Sequence, residues 1–267
     1  MKTFGFIGTG NMGSALARAA AKALNSEEIL LSDSYAPVAE KLAAELGCQS
    51  VSVDAVAANA KYIWLGVKPQ VMATMLASIA PTLANRNEEF VLVSMAAGVS
   101  MADIQKMAGG NYPVIRIMPN IPVSVGGGMI LYDATENVSQ ADVENFCQYM
   151  RFAGRLDRLP EKLIDAGSAL SGCGPAFASL FVEALADGAV ACGLPRNQAI
   201  AYAAQTMAGT ANMILEKGIH PGQLKDAVCS PGGSTIAGVN ALEQGAFRAS
   251  CMEAVTAAYQ RTLELGK

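Results

Sequence analysis

The chain has 267 residues, which is enough for one large domain or two smaller ones. Apolar residues make up 52% of it and charged residues only 16%, so much of its surface should be buried within a monomer or between subunits. The net charge of −4 and the absence of any Lys/Arg run make nucleic-acid binding a poor hypothesis.

The sequence also gives expectations about location and metals. No membrane span is predicted, because the apolar stretch 176–194 contains Glu183 and Asp187. Glycines stand near the N terminus where a signal peptide would have its apolar core, so a cytoplasmic protein is expected. With one histidine, His220, and six cysteines that form no Cys-x-x-Cys pair, we expect free thiols and no metal site.

The first part of the chain alternates short apolar runs with helical stretches. This alternation predicts βαβ units and a largely parallel sheet with helices on both faces. The predicted strands are residues 3–8, 28–33, 62–67, 90–95, 114–118, 129–132 and 155–159. Residues 11–24 and 35–46 are predicted helices between the first of these strands.

After about Pro160 the strand pattern disappears, and apolar residues recur at helical spacing. The pattern predicts one helix up to Gly193, a second up to Gly218, a third after Pro221, a fourth up to Gly245 and a last one beyond it. The fold class is therefore α/β, with a Rossmann-type dinucleotide-binding domain over residues 1–159 and an all-α domain over 160–267. Because so short a bundle has apolar faces rich in small residues, one face is expected to be buried against a second subunit.

A glycine motif, Gly8-Thr9-Gly10-Asn11-Met12-Gly13, follows the first predicted strand and opens a helix. This is the context that a dinucleotide-binding loop requires. Gly8 would allow the tight turn, Gly10 the approach of a pyrophosphate and Gly13 close packing of the helix. The helix N terminus would offer free N–H groups to the phosphates. The alternative is a purely structural glycine turn.

Asp33 ends the second predicted strand, about twenty residues after the glycine loop, where an acidic side chain usually accepts hydrogen bonds from the adenosine ribose. A carboxylate there repels a 2′-phosphate and favours NADH over NADPH, although Ser32 and Ser34 could serve a phosphate instead. The alternative is that Asp33 caps the next helix. Lys68 directly follows the third predicted strand and is expected either to contact a ligand or to be an ordinary surface lysine.

A second glycine motif, Pro231-Gly232-Gly233-Ser234-Thr235, leads directly into a predicted helix. Free N–H groups at such a start form an anion nest that suits a carboxylate. The Thr235 hydroxyl could donate to a ring nitrogen or relay a proton toward it. The alternative is an ordinary turn with a Ser/Thr cap.

Six motifs in chain order carry a resemblance to a known family. They are Phe6-Ile7-Gly8-x-Gly10-Asn11-Met12-Gly13, Val67-Lys68-Pro69, Ala96-Ala97-Gly98-Val99, Met118-Pro119-Asn120, Leu170-Ser171-Gly172-x-Gly174-Pro175-Ala176 and the stretch 224–235. Together they resemble pyrroline-5-carboxylate reductase from end to end. The resemblance implies a Rossmann domain that binds NADPH or NADH and a helical domain that builds a homodimer, often within a decamer. It also implies hydride transfer to the cyclic imine of 1-pyrroline-5-carboxylate, giving L-proline, the last step of proline biosynthesis.

The resemblance also assigns roles to individual residues. It implies that Ser234 and Thr235 are catalytic and hold the substrate together with Gly233, and that Glu161 and Ser171 lie beside it. The implied cofactor contacts outside the glycine loop and Asp33 are Val67, Lys68, Ala97 and Asn120. Asp33 departs from the small hydroxylated or basic residue of many relatives, so the common NADPH preference does not carry over directly.

Two other functions remain open. One is a different enzyme on the same architecture, such as a β-hydroxyacid dehydrogenase or a reductase of another imine. The dehydrogenase version would place a catalytic lysine or aspartate in the helical domain, but Lys162, Lys217 and Lys225 lie outside the apolar helix pattern. The other is a nonenzymatic dinucleotide sensor, which would not need the Gly-Gly-Ser-Thr nest.

Overall fold

The structure, a computed structural model, describes residues 1–265. It contains two compact units: Met1–Cys173 together with the C-terminal segment from Ala258, and Gly174–Ala257. The boundary between residues 159 and 160 that the sequence suggests stays a prediction.

The first unit is built around one sheet of eight strands. These are β1 (Lys2–Ile7), β2 (Ile29–Ser32), β3 (Gln49–Ser50), β4 (Ala60–Leu65), β5 (Val91–Ser94), β6 (Val114–Met118), β7 (Gly128–Ala134) and β8 (Gly154–Arg158). Their order is β3-β2-β1-β4-β5-β6-β7-β8. Neighbours are parallel except β6 and β7, which are antiparallel. The prediction of a largely parallel sheet is confirmed, but β3 was missed because two residues are too few to show a strand period.

Seven α-helices of the described residues lie wholly within the first unit, which also contains the last part of the C-terminal helix. They are α1 (Asn11–Ala20), α2 (Ala36–Leu46), α3 (Val53–Asn59), α4 (Pro69–Ala84), α5 (Met101–Ala108), α6 (Gln140–Met150) and α7 (Glu161–Ser171). Helix α1 is shorter than the predicted 11–24. Beyond Ala20, the N–H groups of Lys22 and Ala23 donate to the carbonyls of Ala19 and Ala20, and these i→i+3 bonds tighten the chain before it enters β2.

The sheet is buried on both faces because its strands alternate between two apolar clusters. On β4, Tyr62 and Trp64 belong to one cluster, with Leu16 of α1 and Phe146 of α6. Ile63 and Leu65 of the same strand belong to the other, with residues of α3, α4 and α5. The predicted two-sided cover by helices is confirmed. Because β1 lies between β2 and β4, the direction of strand order reverses next to it, and such a switch point is where open α/β sheets bind ligands.

The second unit consists of helices, namely α8 (Gly174–Ala191), α9 (Arg196–Lys217), α10 (Pro221–Ala227), α11 (Ser234–Gln244) and the first part of α12 (Phe247–Leu265). The five helices predicted after Pro160 match these, whereas α7 was not predicted separately. Large apolar side chains are exposed on this unit, namely Leu180, Leu185, Ile200, Tyr202, Met213, Leu215, Val228, Ile236, Leu242, Phe247 and Met252. Such a surface is what the predicted subunit contact requires.

One helical stretch of the described residues, Glu161–Ala191, is long and apolar enough by composition to cross a membrane; an 18-residue window within it has a mean hydropathy of 1.4. A single stretch of this kind is weak support for a membrane span. The expected absence of a membrane association stays a prediction.

Candidate dinucleotide and substrate sites

The glycine loop after β1 is held by three glycines that pack on one another. Gly8 has a positive φ of 98°, and its N–H donates to the Ser32 carbonyl at 2.8 Å. A β-carbon at Gly66 would lie 2.5 Å from the Gly8 carbonyl oxygen, and one at Gly13 would overlap the same atom. Gly66 is a residue that the sequence interpretation missed; its signal was a glycine directly after the apolar run of β4.

Gly10 differs from these glycines because the space beside it is open. A β-carbon there would have no atom within 4 Å. Gly10 is the N-cap of α1, and the first intrahelical bond runs from the Ser14 N–H to the Gly10 carbonyl at 2.9 Å. The N–H groups of Asn11, Met12 and Gly13 therefore precede the helical ladder and are available to phosphate oxygens. An open cradle of backbone donors next to a switch point fits a dinucleotide.

Asp33 follows β2 directly and holds the glycine loop. Its Oδ2 accepts the Thr9 N–H at 2.7 Å and the Thr9 hydroxyl at 3.1 Å, while its Oδ1 accepts the Tyr35 N–H at 3.0 Å. Partial burial would raise the pKa of Asp33, but these bonds and one from the Ser34 hydroxyl outweigh it and hold the pKa below its usual range. Asp33 is thus ionised at neutral pH. It does not cap α2, whose N-cap is Tyr35.

The other predicted cofactor residues lie on loops at the carboxyl ends of neighbouring parallel strands. Val67 and Lys68 follow β4, where Lys68 is exposed as the N-cap of α4. Ala97 is exposed after β5, beside Gly98 with its positive φ of 71°. These loops meet the glycine loop at one edge of the sheet. Thr9, by contrast, is only 2% exposed and directs its hydroxyl to Asp33.

Asn120 follows β6 and joins two segments through its side chain. Its Nδ2 donates to the Ser171 carbonyl at 2.9 Å, and its Oδ1 accepts the Met129 N–H at 2.9 Å. The side chain is 9% exposed, and both ends of its amide are engaged within the protein. The structure therefore brings together two predicted site residues, Asn120 and Ser171, from positions far apart in the sequence.

Glu161 begins α7 and takes part in a buried ionic network. Its Oε1 accepts the Met101 N–H at 2.7 Å and lies 3.3 Å from Nη1 of Arg116. Nη2 of Arg116 lies 2.8 Å from Asp165, and Arg116 is only 3% exposed. The sequence interpretation missed Arg116, although a single arginine inside the apolar strand pattern was a usable signal, because a buried charge needs partners. One Glu161 oxygen, Oε1, is thus occupied by contacts within the protein.

In the second unit, the predicted nest forms at the start of α11. Gly232 has a positive φ of 68°, and the Gly233 N–H donates to the Ser230 carbonyl at 3.0 Å. Gly233 is the N-cap, and a β-carbon there would overlap the Ser230 hydroxyl. The first intrahelical bond is donated by Ala237 to Gly233. The N–H groups of Ser234, Thr235 and Ile236 therefore lie ahead of the ladder, and Ser234 and Thr235 are exposed.

His220 has a structural task in the same unit. It is the N-cap of α10, and its Nδ1 accepts the Gly222 N–H at 3.1 Å. All six cysteines are free, as predicted. Within residues 1–265, no group of three His, Cys, Asp or Glu side chains is placed to hold a metal ion.

Comparison with known proteins places this geometry in a family. Residues 161–265 match the family model described as pyrroline-5-carboxylate reductase dimerisation, and residues 3–98 match the one described as NADP oxidoreductase, coenzyme F420-dependent. A pyrroline-5-carboxylate reductase from Synechocystis sp. is 42% identical, covering 98% of each chain. The structure of one from Coxiella burnetii is 30% identical, with a TM-score of 0.91, covering 100% of this chain and 99% of that one.

A further similar structure is that of the Plasmodium falciparum pyrroline carboxylate reductase with NADP bound. It is 30% identical, with a TM-score of 0.86, covering 100% of this chain and 98% of that one. Similarity therefore extends over both the glycine-loop unit and the helical unit. The chain belongs to the pyrroline-5-carboxylate reductase family.

Proposed function

We propose that this chain is an NAD(P)H-dependent reductase that converts 1-pyrroline-5-carboxylate into L-proline, the last step of proline biosynthesis. The observation that carries the proposal is the pairing, in one chain of this family, of a dinucleotide cradle at Gly10 with a backbone nest at Ser234 and Thr235. Each answers a different need of the reaction. The first suits a pyrophosphate, and the second suits the carboxylate of a small substrate.

The reaction needs a hydride at the imine carbon and a proton at the imine nitrogen. A reduced nicotinamide supplies the hydride when the cofactor is bound. The protein's own part is to fix the ring and to pass on the proton. The N–H groups at the start of α11 hold its carboxylate, and the Thr235 hydroxyl donates to the neutral imine nitrogen and relays a proton to it, regaining one from water. A cyclic imine can be protonated near neutral pH, so its carbon becomes electrophilic without a strong protein acid.

The proposed cofactor contacts are the backbone of residues 8–13 together with Asp33, Val67, Lys68 and Ala97. Asn120, the remaining residue of the predicted cofactor site, is proposed to act mainly by holding Ser171, because both ends of its amide bond within the protein. The residues proposed for substrate binding are Gly233, Ser234 and Thr235 in the second unit and, in the first unit, Ser171 and Glu161. For Glu161, Oε2 is the oxygen available to a ligand, because Oε1 accepts the Met101 N–H. Lys68 is suited to a phosphate or carboxylate, since its side chain is exposed at the carboxyl edge of the sheet.

The C-terminal helices assemble this chain into a homo-oligomer. Support comes from the family model for dimerisation over residues 161–265 and from the apolar side chains exposed on α8, α9 and α12. We propose a homodimer as the unit, which further contacts can build into a decamer. The same proposal places the protein in the cytoplasm, with a small molecule as its partner and no nucleic acid or membrane.

The direct test measures how fast the purified full chain oxidises NADH and NADPH in the presence of racemic 1-pyrroline-5-carboxylate. The readout is the loss of the absorbance of the reduced nicotinamide. Product analysis must show proline in amounts equal to the cofactor oxidised. A variant with Gly10→Val, which fills the open cradle, is the control for dinucleotide-dependent turnover. Dinucleotide binding without turnover of this imine would contradict the proposal and direct the search to other cyclic imines.

A further inference from the structure

The contacts of Asp33 bear on which of the two reduced nicotinamide dinucleotides the chain prefers. We propose that the Asp33 carboxylate, fixed by Thr9, makes the chain selective for NADH by accepting the ribose 2′-hydroxyl and excluding a 2′-phosphate. The reaction concerned rests on the proposed function, but the preference belongs to the binding site and can be measured without turnover.

The position of Asp33 is the first observation. It is the first residue after β2, the strand next to β1, whose own carboxyl end carries the glycine loop. In this architecture the ribose of the adenosine half lies beside the end of the second strand, while the pyrophosphate lies on the loop after the first. A carboxylate at that place faces the 2′ position, where NADH has a hydroxyl donor and NADPH has a phosphate that bears negative charge.

The fixation of Asp33 is the second observation. Both carboxylate oxygens accept hydrogen bonds: Oδ2 accepts the Thr9 N–H and the Thr9 hydroxyl, and Oδ1 accepts the Tyr35 N–H. Thr9 is only 2% exposed and belongs to the glycine loop itself. Asp33 cannot turn away from a bound 2′-phosphate without giving up these bonds and loosening the loop that holds the pyrophosphate. A free surface carboxylate could turn away at little cost.

The third observation is that the segments next to Asp33 and the glycine loop contain no Lys or Arg. These segments are residues 8–17 and 29–40; the next cations are Arg18, near the end of α1 and paired with Glu45, and Lys41 in the middle of α2. Lys68 follows β4, on the far side of β1 from β2, and two strand spacings amount to roughly 10 Å. A 2′-phosphate would thus meet a fixed carboxylate, with no cation supplied by the glycine loop or by the segment that follows β2. The repulsion between the Asp33 carboxylate and a 2′-phosphate disfavours NADPH binding more strongly in a partly buried site than it would in water.

The experiment measures dissociation constants of NADH and NADPH by nucleotide fluorescence or calorimetry, at low and high salt, for the full chain and three variants. The wild-type chain should bind NADH at least about tenfold more tightly than NADPH, with a smaller ratio at high salt because screening weakens charge repulsion. Asp33→Asn keeps the shape and removes the charge, and it should reduce the ratio by about tenfold, mainly by tightening NADPH.

Two variants separate charge from other effects. Thr9→Val keeps the Asp33 charge and the Thr9 N–H bond but removes the hydroxyl bond, so the carboxylate is held less firmly. It should weaken the binding of both cofactors and lower the NADH preference by no more than about threefold, less than Asp33→Asn does. Glu45→Gln removes an exposed carboxylate near the far end of α2, where Glu45 pairs with Arg18, and should change neither constant.

Equal or tighter binding of NADPH by the wild-type chain would overturn the proposal, as would an unchanged ratio in Asp33→Asn. These outcomes are separate from failure of the proposed function. If the chain binds NADH more tightly than NADPH but does not reduce 1-pyrroline-5-carboxylate, the inferred NADH preference stands and the proposed reductase function is wrong.

Discussion

Asn120 and Ser171 are joined by a hydrogen bond of 2.9 Å from the Asn120 side-chain amide to the Ser171 carbonyl. The same side chain accepts the Met129 N–H, so the loop after β6, the start of β7 and the end of α7 are fixed to one another. Because both the donor and the acceptor of the Asn120 amide form hydrogen bonds within the protein, we expect Asn120 to affect the reaction mainly by holding Ser171 in place.

Asn120→Asp tests this positioning role. The aspartate still accepts from Met129 but cannot donate to Ser171, so the end of α7 should lose its anchor. We expect kcat to fall about tenfold, as small misplacement near a reacting centre often does, while the Kd for NADH changes less than about threefold. Ser171→Ala, which leaves the carbonyl in place, is the comparison. A loss of NADH affinity as large as the loss of kcat would instead indicate direct contact of Asn120 with the cofactor.

Substitutions of two glycines in the first loop should affect stability and dinucleotide affinity differently. Gly13→Ala places a methyl group against the Gly8 carbonyl, and we expect it to lower the free energy of unfolding by about 2 kcal/mol. Gly10→Ala meets no atom within 4 Å, so its stability should be near that of wild type while dinucleotide affinity falls. Urea unfolding and nucleotide titration measure the two effects. Equal destabilisation by both substitutions would show that Gly10, too, is required for packing.

Glu161 and Asp165 share Arg116 as a partner, which makes them a matched pair. Glu161→Gln and Asp165→Asn should each lower the free energy of unfolding by about 2 kcal/mol, because each weakens a charged hydrogen bond to a buried guanidinium. If Glu161 also contacts the substrate, only Glu161→Gln should raise KM for 1-pyrroline-5-carboxylate, by several-fold. The same KM in both variants would leave Glu161 with a structural role alone.

Thr235→Ala tests the proposed proton donor at the start of α11. It removes the hydroxyl but none of the backbone N–H groups of the nest, so kcat should fall about a hundredfold with loss of the donor. KM for the imine should rise and the Kd for NADH should stay nearly unchanged. Thr235→Ser, which restores a hydroxyl, should recover much of the rate. Cofactor binding that weakens in parallel with turnover would argue against this assignment.

The apolar surface of the second unit predicts that association depends on α8 and α9. Leu180 is 68% and Leu215 is 65% exposed, so Leu180→Glu or Leu215→Glu should dissociate the oligomer through burial of a charge in an apolar contact. Light scattering coupled to size exclusion gives the mass. Val38→Glu on α2, which carries the same change in the first unit, should leave the mass of the assembly intact. An unchanged mass in the Leu variants would place the contact elsewhere.

The sequence by itself determined the fold class, the parallel sheet and the glycine motifs. Strand period, buried apolar runs and glycines at loop positions are local properties, and they are set by the backbone conformations and burial that each segment requires. The same local chemistry identified Gly8 as a turn residue and Asp33 as the last residue of the second predicted strand, one residue beyond the end of β2 in the structure. It also located the start of α11 at Ser234 and Thr235, because a glycine pair before hydroxyl residues is typical of a helix start.

Only the tertiary structure decided which residues meet. The packing of Gly66 on Gly8, the ion pairs of buried Arg116 and the hydrogen bond from Asn120 to Ser171 all join segments that are distant in the chain. The period of a strand or helix tells which face is buried, but not which side chain lies opposite on another element. For the same reason the sequence could suggest that Asp33 faces a ribose, whereas the structure was needed to show that Thr9 holds its carboxylate in place.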